Sequence, residues 1–175
     1  RLDRPNESLK MPVDSSIVVK DVSFGYNEKE ILHNINLDIK AGSHIALVGP
    51  SGAGKSTIAK LIASLWDPNE GNIYIGGVNI KDLKLEDYNK LVSYVSQSNY
   101  LFNVSIMENI RMGNLNASDE EVIDVCKKCG IHDFILNLEN GYNTIVGDAG
   151  SHISGGERQR ISIARALIKN PKILI

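Results

Sequence analysis

The stretch Gly49-Pro-Ser-Gly-Ala-Gly-Lys-Ser56 decides which fold this chain can adopt. It matches the pattern G-x-x-x-x-G-K-[ST], which is informative where a strand precedes it and a helix follows it. The continuously apolar run Ile45-Ala-Leu-Val48 before it predicts a strand that is covered on both faces. The run from Lys55 to Trp66 after it has helical character. We therefore expect a phosphate-binding loop between a buried strand and a helix.

The chemistry of phosphate binding assigns a role to most positions of this loop. Gly52 and Gly54 can adopt backbone angles that are closed to other residues, so consecutive N–H groups can form a concave anion site. That site opens onto the first turn of the helix, whose unpaired amides and dipole favour negative charge. Lys55 brings an ammonium to the β- and γ-phosphates, Ser56 offers a hydroxyl oxygen to Mg²⁺, and the Thr57 amide lies near the α-phosphate. The predicted nucleotide-binding residues of the loop are Gly49, Pro50, Ser51, Gly52, Ala53, Gly54, Lys55, Ser56 and Thr57.

Length and composition exclude several classes of protein. The 175 residues are 42% hydrophobic and 23% charged, which fits one globular domain or slightly more. The 19 basic and 21 acidic side chains leave a formal charge of −2, so no basic surface attracts nucleic acid. No apolar run approaches the length of about 18 residues that crosses a bilayer, and no signal peptide opens the chain. We expect a soluble, cytosolic chain that captures anions locally and has no nucleic-acid partner.

The two cysteines, Cys126 and Cys129, have a spacing that also occurs in metal and redox sites. A zinc site needs four ligands, and no second cysteine pair exists. Ser118 followed by Glu121 is a capping-box pattern, which predicts that a helix begins there. The cysteines then continue one apolar face of that helix, so we interpret them as packing residues. That face consists of Val122, Val125, Cys126 and Cys129.

The remaining segments predict an α/β organisation. Residues 1–16 are polar and contain two prolines, as an extended linker from a preceding region does. Period-two and β-branched patterns predict two peripheral antiparallel strands, and a Gly-Gly pair predicts a hairpin. A helical stretch and a last helix and strand follow. In order, these elements are Ile17–Phe24, Ile35–Ile39, the hairpin at Gly76-Gly77, a strand at Leu91–Val95, helices within Ser105–Leu138, a helix from Ser154 to about Ile168, and a strand beginning at Ile173.

A second anion-binding loop identifies a family. Ile153-Ser-Gly-Gly-Glu-Arg-Gln-Arg160 places a hydroxyl and two glycines at the start of a helix. It resembles the signature motif of the ATP-binding-cassette (ABC) ATPases, usually written Leu-Ser-Gly-Gly-Gln. The resemblance runs from about Ile17 to Ile175. It implies an α/β P-loop NTPase fold with a parallel-strand core, an antiparallel β subdomain, and an inserted helical subdomain over about residues 98–165 of a domain spanning 17–175.

The resemblance also implies roles for individual residues. Tyr26 matches the aromatic residue that stacks on adenine in this family, and Gln97 matches the glutamine that approaches Mg²⁺ and the attacking water. Lys55 and Gln97 are then the catalytic residues, and Ser56 and Gln97 the candidates for Mg²⁺. The signature residues that would contact ATP are Ser154, Gly155, Gly156 and Glu157.

In this family two cassettes pair head to tail, so each ATP lies between the phosphate loop of one and the signature of the other. The segment Leu101–Ile110 is similar to the exporter segment that contacts the coupling helices of a transmembrane domain. Within this segment, Phe102 and Ile106 could either pack in the core or form the surface that contacts the transmembrane domain, and the sequence does not decide between the two roles. The segment Thr144–Gly150 resembles the exporter loop before the signature. Three residues depart from the family pattern, namely Asp148, Ala149 and Glu157.

The resemblance predicts an exporter ATPase on the cytoplasmic face of a membrane. Ile173-Leu-Ile175 resembles the start of the strand that carries the Walker B aspartate, and that aspartate is not among the 175 residues. The catalytic glutamate of the family follows it. No histidine of the chain matches the switch histidine of the family. Without this histidine and the two acids, we expect the 175 residues to bind Mg-ATP but not to hydrolyse it at a useful rate. The histidines are His33, His44, His132 and His152.

Other P-loop proteins remain as alternatives. An ABC protein of DNA repair would carry the same two motifs, but often with a long coiled coil between them. The segment from Gln97 to Ser154 is short and without sustained heptads, and a basic stripe is absent. A regulatory cassette that dimerises on ATP without transport stays open. A small-molecule kinase would not need the signature.

Overall fold

The computed structural model describes residues 4–26, 29–147, 150 and 152–175. They divide into two compact units, one ending at Leu91 and the other beginning at Val92. The first is built mainly on a sheet and the second mainly on helices. The predicted boundaries at residues 17, 98 and 165 remain predictions.

The first unit contains a four-stranded antiparallel sheet in the order β2-β1-β3-β4. The predicted antiparallel pair and the hairpin at Gly76-Gly77 are confirmed, but β2 begins at Lys29, six residues before the predicted Ile35, and β1 is an inner strand of the sheet. In the centre of the sheet, Ile17 lies opposite Ile39 on one side and Ile75 on the other. The strands are β1 (Ile17–Tyr26), β2 (Lys29–Ile39), β3 (Glu70–Ile75) and β4 (Val78–Asn79).

Helix α1 (Lys55–Ile62) follows the phosphate loop, but it ends one turn earlier than the predicted Trp66. Ser64 has a left-handed φ of 53° and donates its N–H to the Leu61 carbonyl at 3.0 Å. The Leu65 N–H reaches back to the Lys60 carbonyl at 2.9 Å. This pair of hydrogen bonds is a Schellman ending. The prediction was wrong because serine occupies the left-handed position. Glycine at that position would have indicated a helix end in the sequence, whereas serine does not.

The predicted buried strand Ile45–Val48 is the main correction to the sequence-based fold. The described residues assign no strand there, and the side chains are exposed, with Val48 at 88%. The apolar pattern indicates that a segment requires cover on both faces. It does not supply the partner strands, and no described residue pairs with this run. The loop therefore follows a segment that has no strand partner among the described residues.

The segment before β1 has no helix or strand over residues 4–16, as the linker prediction expects, yet it is attached to the first unit. The Arg4 guanidinium donates to the Ile80 carbonyl and the Ser64 hydroxyl, and lies 5.1 Å from the centroid of the Tyr88 ring. Tyr88 is buried on helix α2 (Leu85–Leu91), and its hydroxyl donates to the Ile62 carbonyl. Burial raises the pKa of Tyr88, because the phenolate would lose its hydration.

The second unit packs its helices around one apolar core. Ser105 and Ser118 begin two of these helices with capping boxes, whose partners are Glu108 and Glu121. The predicted box at Ser118 is confirmed, and so is the predicted last helix. The helices are α3 (Ile106–Arg111), α4 (Asp119–Lys128), α5 (His132–Leu136) and α6 (Gly155–Leu167).

A short parallel pair completes this unit: β5 (Val92–Ser93) lies beside β6 (Ile173–Leu174). The predicted strand Leu91–Val95 is longer than the assigned one, because Leu91 closes helix α2. The Val95 N–H still donates to the Ile175 carbonyl at 2.8 Å. None of the helices among the described residues combines the length and the apolar character that a bilayer-spanning helix needs.

Two glycines of the sheet provide a matched test of its packing. Gly71 and Gly77 have φ values of 79° and 77°, but a Cβ at Gly71 would lie 2.3 Å from the Asp21 carbonyl oxygen, whereas one at Gly77 would meet nothing within 4 Å. Gly77→Ala carries only the backbone cost, about 1 kcal/mol. Gly71→Ala adds the steric cost and should lose about 3 kcal/mol. Urea unfolding followed by circular dichroism measures both, and equal losses would contradict this packing.

Candidate nucleotide site

The phosphate loop has the backbone that its chemistry requires. Gly52 and Gly54 have φ values of 85° and 80°, and Gly54 is the N-cap of α1. A Cβ at Gly54 would lie 2.5 Å from Cδ2 of Leu32 on β2, so a side chain here would require Leu32 to shift. Glycine is favoured at this position mainly by its left-handed backbone conformation.

The first turn of α1 is electrostatically open to an anion. It contains no acidic residue, and no side chain caps it. The Lys55 ammonium folds over the loop and donates to the carbonyls of Gly49 at 2.8 Å and Pro50 at 2.6 Å. Ser56 is exposed, whereas Thr57 is buried. A positive side chain, a free hydroxyl and a helix N-terminus thus lie within one short loop, which suits a phosphate group.

Tyr26 ends strand β1 and keeps 38% of its surface exposed. Its ring centroid lies 5.0 Å from that of Phe24 and 5.3 Å from that of Trp66, in both cases nearly at right angles. Sequence reasoning missed Trp66. Its only signal was that it is the single tryptophan of the chain, placed just beyond the phosphate-loop helix.

The signature residues begin α6 in the second unit. Ser154 is the N-cap, but its side chain makes no capping hydrogen bond and is exposed. Gly155 and Gly156 are exposed as well, and a Cβ at Gly156 would meet nothing within 4 Å. The Oε2 atom of Glu157 is shielded from solvent and accepts no hydrogen bond from a described residue. Among the described residues, none makes a side-chain hydrogen bond to Ser154 or fills the space beside Gly156.

The predicted site residues fall into separate groups. The loop 49–57 and Tyr26 belong to the first unit, whereas Gln97 and the signature belong to the second. Gln97 is exposed, and its backbone carbonyl accepts a hydrogen bond from the Asn99 side chain at 3.2 Å. The roles of these residues and their assembly around one nucleotide stay predictions. Asp148 and Ala149 lie outside the described residues.

The structure separates the roles of Phe102 and Ile106. Ile106 is completely buried in the core of the second unit, so it is a packing residue. Phe102 is 47% exposed and contacts the ring of Tyr100, with the centroids 5.2 Å apart. The Arg165 guanidinium lies 5.7 Å from the centroid of the Phe102 ring. An aromatic surface is thus present on this unit, beside a cavity of about 410 Å³.

Buried Asn109 holds this surface in place. Its Oδ1 accepts from the Phe102 N–H at 2.9 Å and from Arg165 Nη2 at 2.7 Å, and its Nδ2 donates to the Phe102 carbonyl at 2.9 Å. Arg165 also donates to the carbonyls of Asn109 and Tyr100. Because Arg165 lies on α6, the signature helix and the Tyr100–Phe102 loop are joined by one hydrogen-bond network.

The cysteines have no metal-binding geometry. Cys126 is fully buried in the core and Cys129 partly so, and burial raises the pKa of Cys126 to about 11. Among the residues that the structure covers, no cluster of three or more histidine, cysteine or acidic side chains could hold a metal ion. The interpretation as packing residues is confirmed.

Comparison with known sequences gives consistent matches. A family model described as ABC transporter matches residues 32–175. The chain is 46% identical over 165 residues to the mitochondrial iron-sulfur clusters transporter ABCB7 of Oryzias latipes, covering 94% of this chain and 22% of that protein. It is 43% identical over 171 residues to the ATP-dependent lipid A-core flippase of Syntrophus aciditrophicus, covering 97% of this chain and 28% of that protein.

A solved structure of a bacterial Atm1-family ABC exporter with ATP bound matches with a TM-score of 0.94 and 44% identity. The match covers 99% of this chain and 30% of that chain. The predicted fold class is confirmed by this likeness. The chain spans less than a third of the length of each of these relatives.

The Asn109 network yields a stability prediction. Asn109→Ala removes a fully buried side chain and leaves the Phe102 N–H and one Arg165 nitrogen without their acceptor, so we expect a loss of about 3 kcal/mol in the free energy of unfolding. Asn116→Ala is the matched control, since Asn116 is exposed, and should change stability by less than about 0.5 kcal/mol. The midpoint of urea unfolding measures both. Equal midpoints for the two variants would contradict the network.

Proposed function

The chain belongs to the ABC transporter family, and from this premise we propose that it is the ATP-binding domain of an exporter. In the whole protein, ATP binding and hydrolysis would drive the transport of a substrate across a membrane. Family membership implies nucleotide binding in general, whereas ATP, Mg²⁺ and transport belong to the proposal. The relatives named for transport support it.

One observation carries the proposal most directly: the anion-ready loop before α1. The Lys55 ammonium is held against the carbonyls of Gly49 and Pro50, so it is already positioned over the loop when a phosphate arrives. The absence of any acidic residue in the first turn of α1 leaves the helix dipole uncompensated. A triphosphate supplies the negative charge that this arrangement lacks.

We assign the remaining nucleotide contacts from the same geometry. The exposed Tyr26 ring is the stacking surface for adenine, as expected for an amphipathic aromatic at a strand end. The exposed Ser56 hydroxyl and the Gln97 side-chain oxygen suit Mg²⁺, a hard cation that prefers oxygen ligands. When bound, the ion would neutralise charge on the β- and γ-phosphates. Lys55 binds and orients the γ-phosphate.

The partner at the signature is a second nucleotide-binding domain arranged head to tail. Ser154 and Gly156 present a free hydroxyl and an open helix start, which would contact the γ-phosphate held by the partner's loop. Glu157 lies in the first turn of the same helix and would stand beside this contact. Loss of the γ-phosphate would then weaken the pair.

The exposed Tyr100 and Phe102 rings are the proposed contact with a transmembrane domain, which would place this domain at the cytoplasmic face of the membrane. The transported substrate stays unassigned. One relative is named for iron-sulfur clusters and the other for lipid A-core, so likeness to both selects no cargo.

Lys55→Ala tests the nucleotide site. The variant loses the charge-assisted hydrogen bonds to phosphate, and we expect the Kd for Mg-ATP to rise by about 100-fold. Lys60→Ala is the control, because Lys60 carries the same charge on the last turn of α1, away from the loop. Isothermal titration calorimetry measures both affinities. An unchanged Kd in Lys55→Ala, or an equal loss in Lys60→Ala, would contradict the proposed site.

A further inference from the structure

Three aromatic side chains cluster at the end of strand β1, and we call Phe24, Tyr26 and Trp66 the aromatic triad. Their ring centroids are 5.0 Å apart for Phe24 and Tyr26, 5.3 Å for Tyr26 and Trp66, and 6.1 Å for Phe24 and Trp66. Phe24 is buried, whereas Tyr26 and Trp66 keep 38% and 42% of their surfaces exposed. The triad therefore has one anchored ring and two rings that face solvent.

Both neighbours of Tyr26 stand nearly perpendicular to it, at 87° for Phe24 and 83° for Trp66. Perpendicular pairs of this kind are favourable arrangements of aromatic rings. Neither neighbour is stacked parallel on the Tyr26 ring, and 38% of the Tyr26 surface remains exposed to a ligand. The contacts restrict the ring without occupying it as a base would.

Backbone contacts determine the place of Trp66. The Schellman ending of α1 at Ser64 turns the chain back directly before it. Three residues later, Asn69 is joined to β1 twice, since its N–H donates to the Ser23 carbonyl at 3.0 Å and its Oδ1 accepts from the Gly25 N–H at 2.8 Å. Trp66 thus lies between a defined helix end and a defined strand contact, immediately beside Tyr26.

We propose that Trp66 is a positioning residue for adenine, which holds the Tyr26 ring in the orientation that stacks on the base. The proposal rests on the proposed function, in which Tyr26 contacts adenine. A ring at a strand end would otherwise lose rotamer freedom on binding, and that cost would weaken affinity. Contact with Trp66 already restricts the Tyr26 ring before ATP binds, so less rotamer freedom is lost on binding. Its effect should therefore appear in the binding of the base and not in the binding of the phosphates.

The test compares ATP with inorganic tripolyphosphate, which has no base, on the full 175-residue chain in the presence of Mg²⁺. Trp66→Ala should raise the Kd for ATP by about five-fold, the value of one aromatic contact, and leave that for tripolyphosphate unchanged. Trp66→Phe retains a ring and should restore the affinity for ATP. Leu65→Ala removes a neighbouring exposed side chain that has no ring and should change neither Kd.

A second measurement needs no change at Trp66. Because it is the only tryptophan, its fluorescence reports on the triad alone. ATP should alter the emission of the unmodified chain, and tripolyphosphate should not. In Tyr26→Leu the response to ATP should disappear. Circular dichroism would reveal whether Trp66→Ala folds. If it does not fold, the fluorescence measurement still tests the proposal, because it leaves Trp66 unchanged.

The outcomes separate this inference from the proposed function. Lys55-dependent binding of ATP that is unaffected by Trp66→Ala, or equal losses for ATP and tripolyphosphate, overturns the positioning role and leaves the nucleotide site intact. An emission response that is the same for both ligands overturns it as well. Failure of the unmodified chain to bind either ligand overturns the proposed function and, with it, the role of Trp66.

Discussion

The unpaired amides at the start of α1 are the constraint on which the nucleotide site depends. A helix begins with N–H groups that have no carbonyl partner, and here neither a capping side chain nor an acidic residue compensates them. Gly54 adopts a left-handed backbone against Leu32, so the loop must turn tightly into the helix. Lys55 adds positive charge at the same point. The arrangement is incomplete without an anion.

The start of the signature helix α6 also has backbone amides that no capping side chain satisfies. Ser105 and Ser118 use their hydroxyls to cap their own helices, which stabilises each by about 1 kcal/mol. Ser154 occupies the equivalent position on α6 and makes no such bond. Within one unit, the Ser154 hydroxyl therefore differs from those of Ser105 and Ser118 in that it does not cap its own helix. Meanwhile Arg165, on the same helix, is joined to the exposed Phe102 surface through Asn109.

Local chemistry made much of this structure predictable, and the failures have physical causes. The phosphate loop, the box at Ser118 and the last helix were predicted because each depends on residues adjacent in sequence. The end of α1 was missed because Ser64 adopts a conformation typical of glycine. The strand at 45–48 was wrong because an apolar pattern cannot supply its own partners. Trp66 and Asn109 were missed because their contacts join segments distant in sequence.

Hydrogen-deuterium exchange with and without Mg-ATP tests the central claim most directly, because it observes the amides themselves. If the start of α1 binds phosphate, ATP should slow exchange across residues 51–57, while helix α4, remote in sequence and rich in internal hydrogen bonds, should remain unchanged. Unaltered exchange across residues 51–57 at saturating ATP would contradict the account. So would slowing that is equal in α4, since that would indicate general stabilisation in place of binding at this loop.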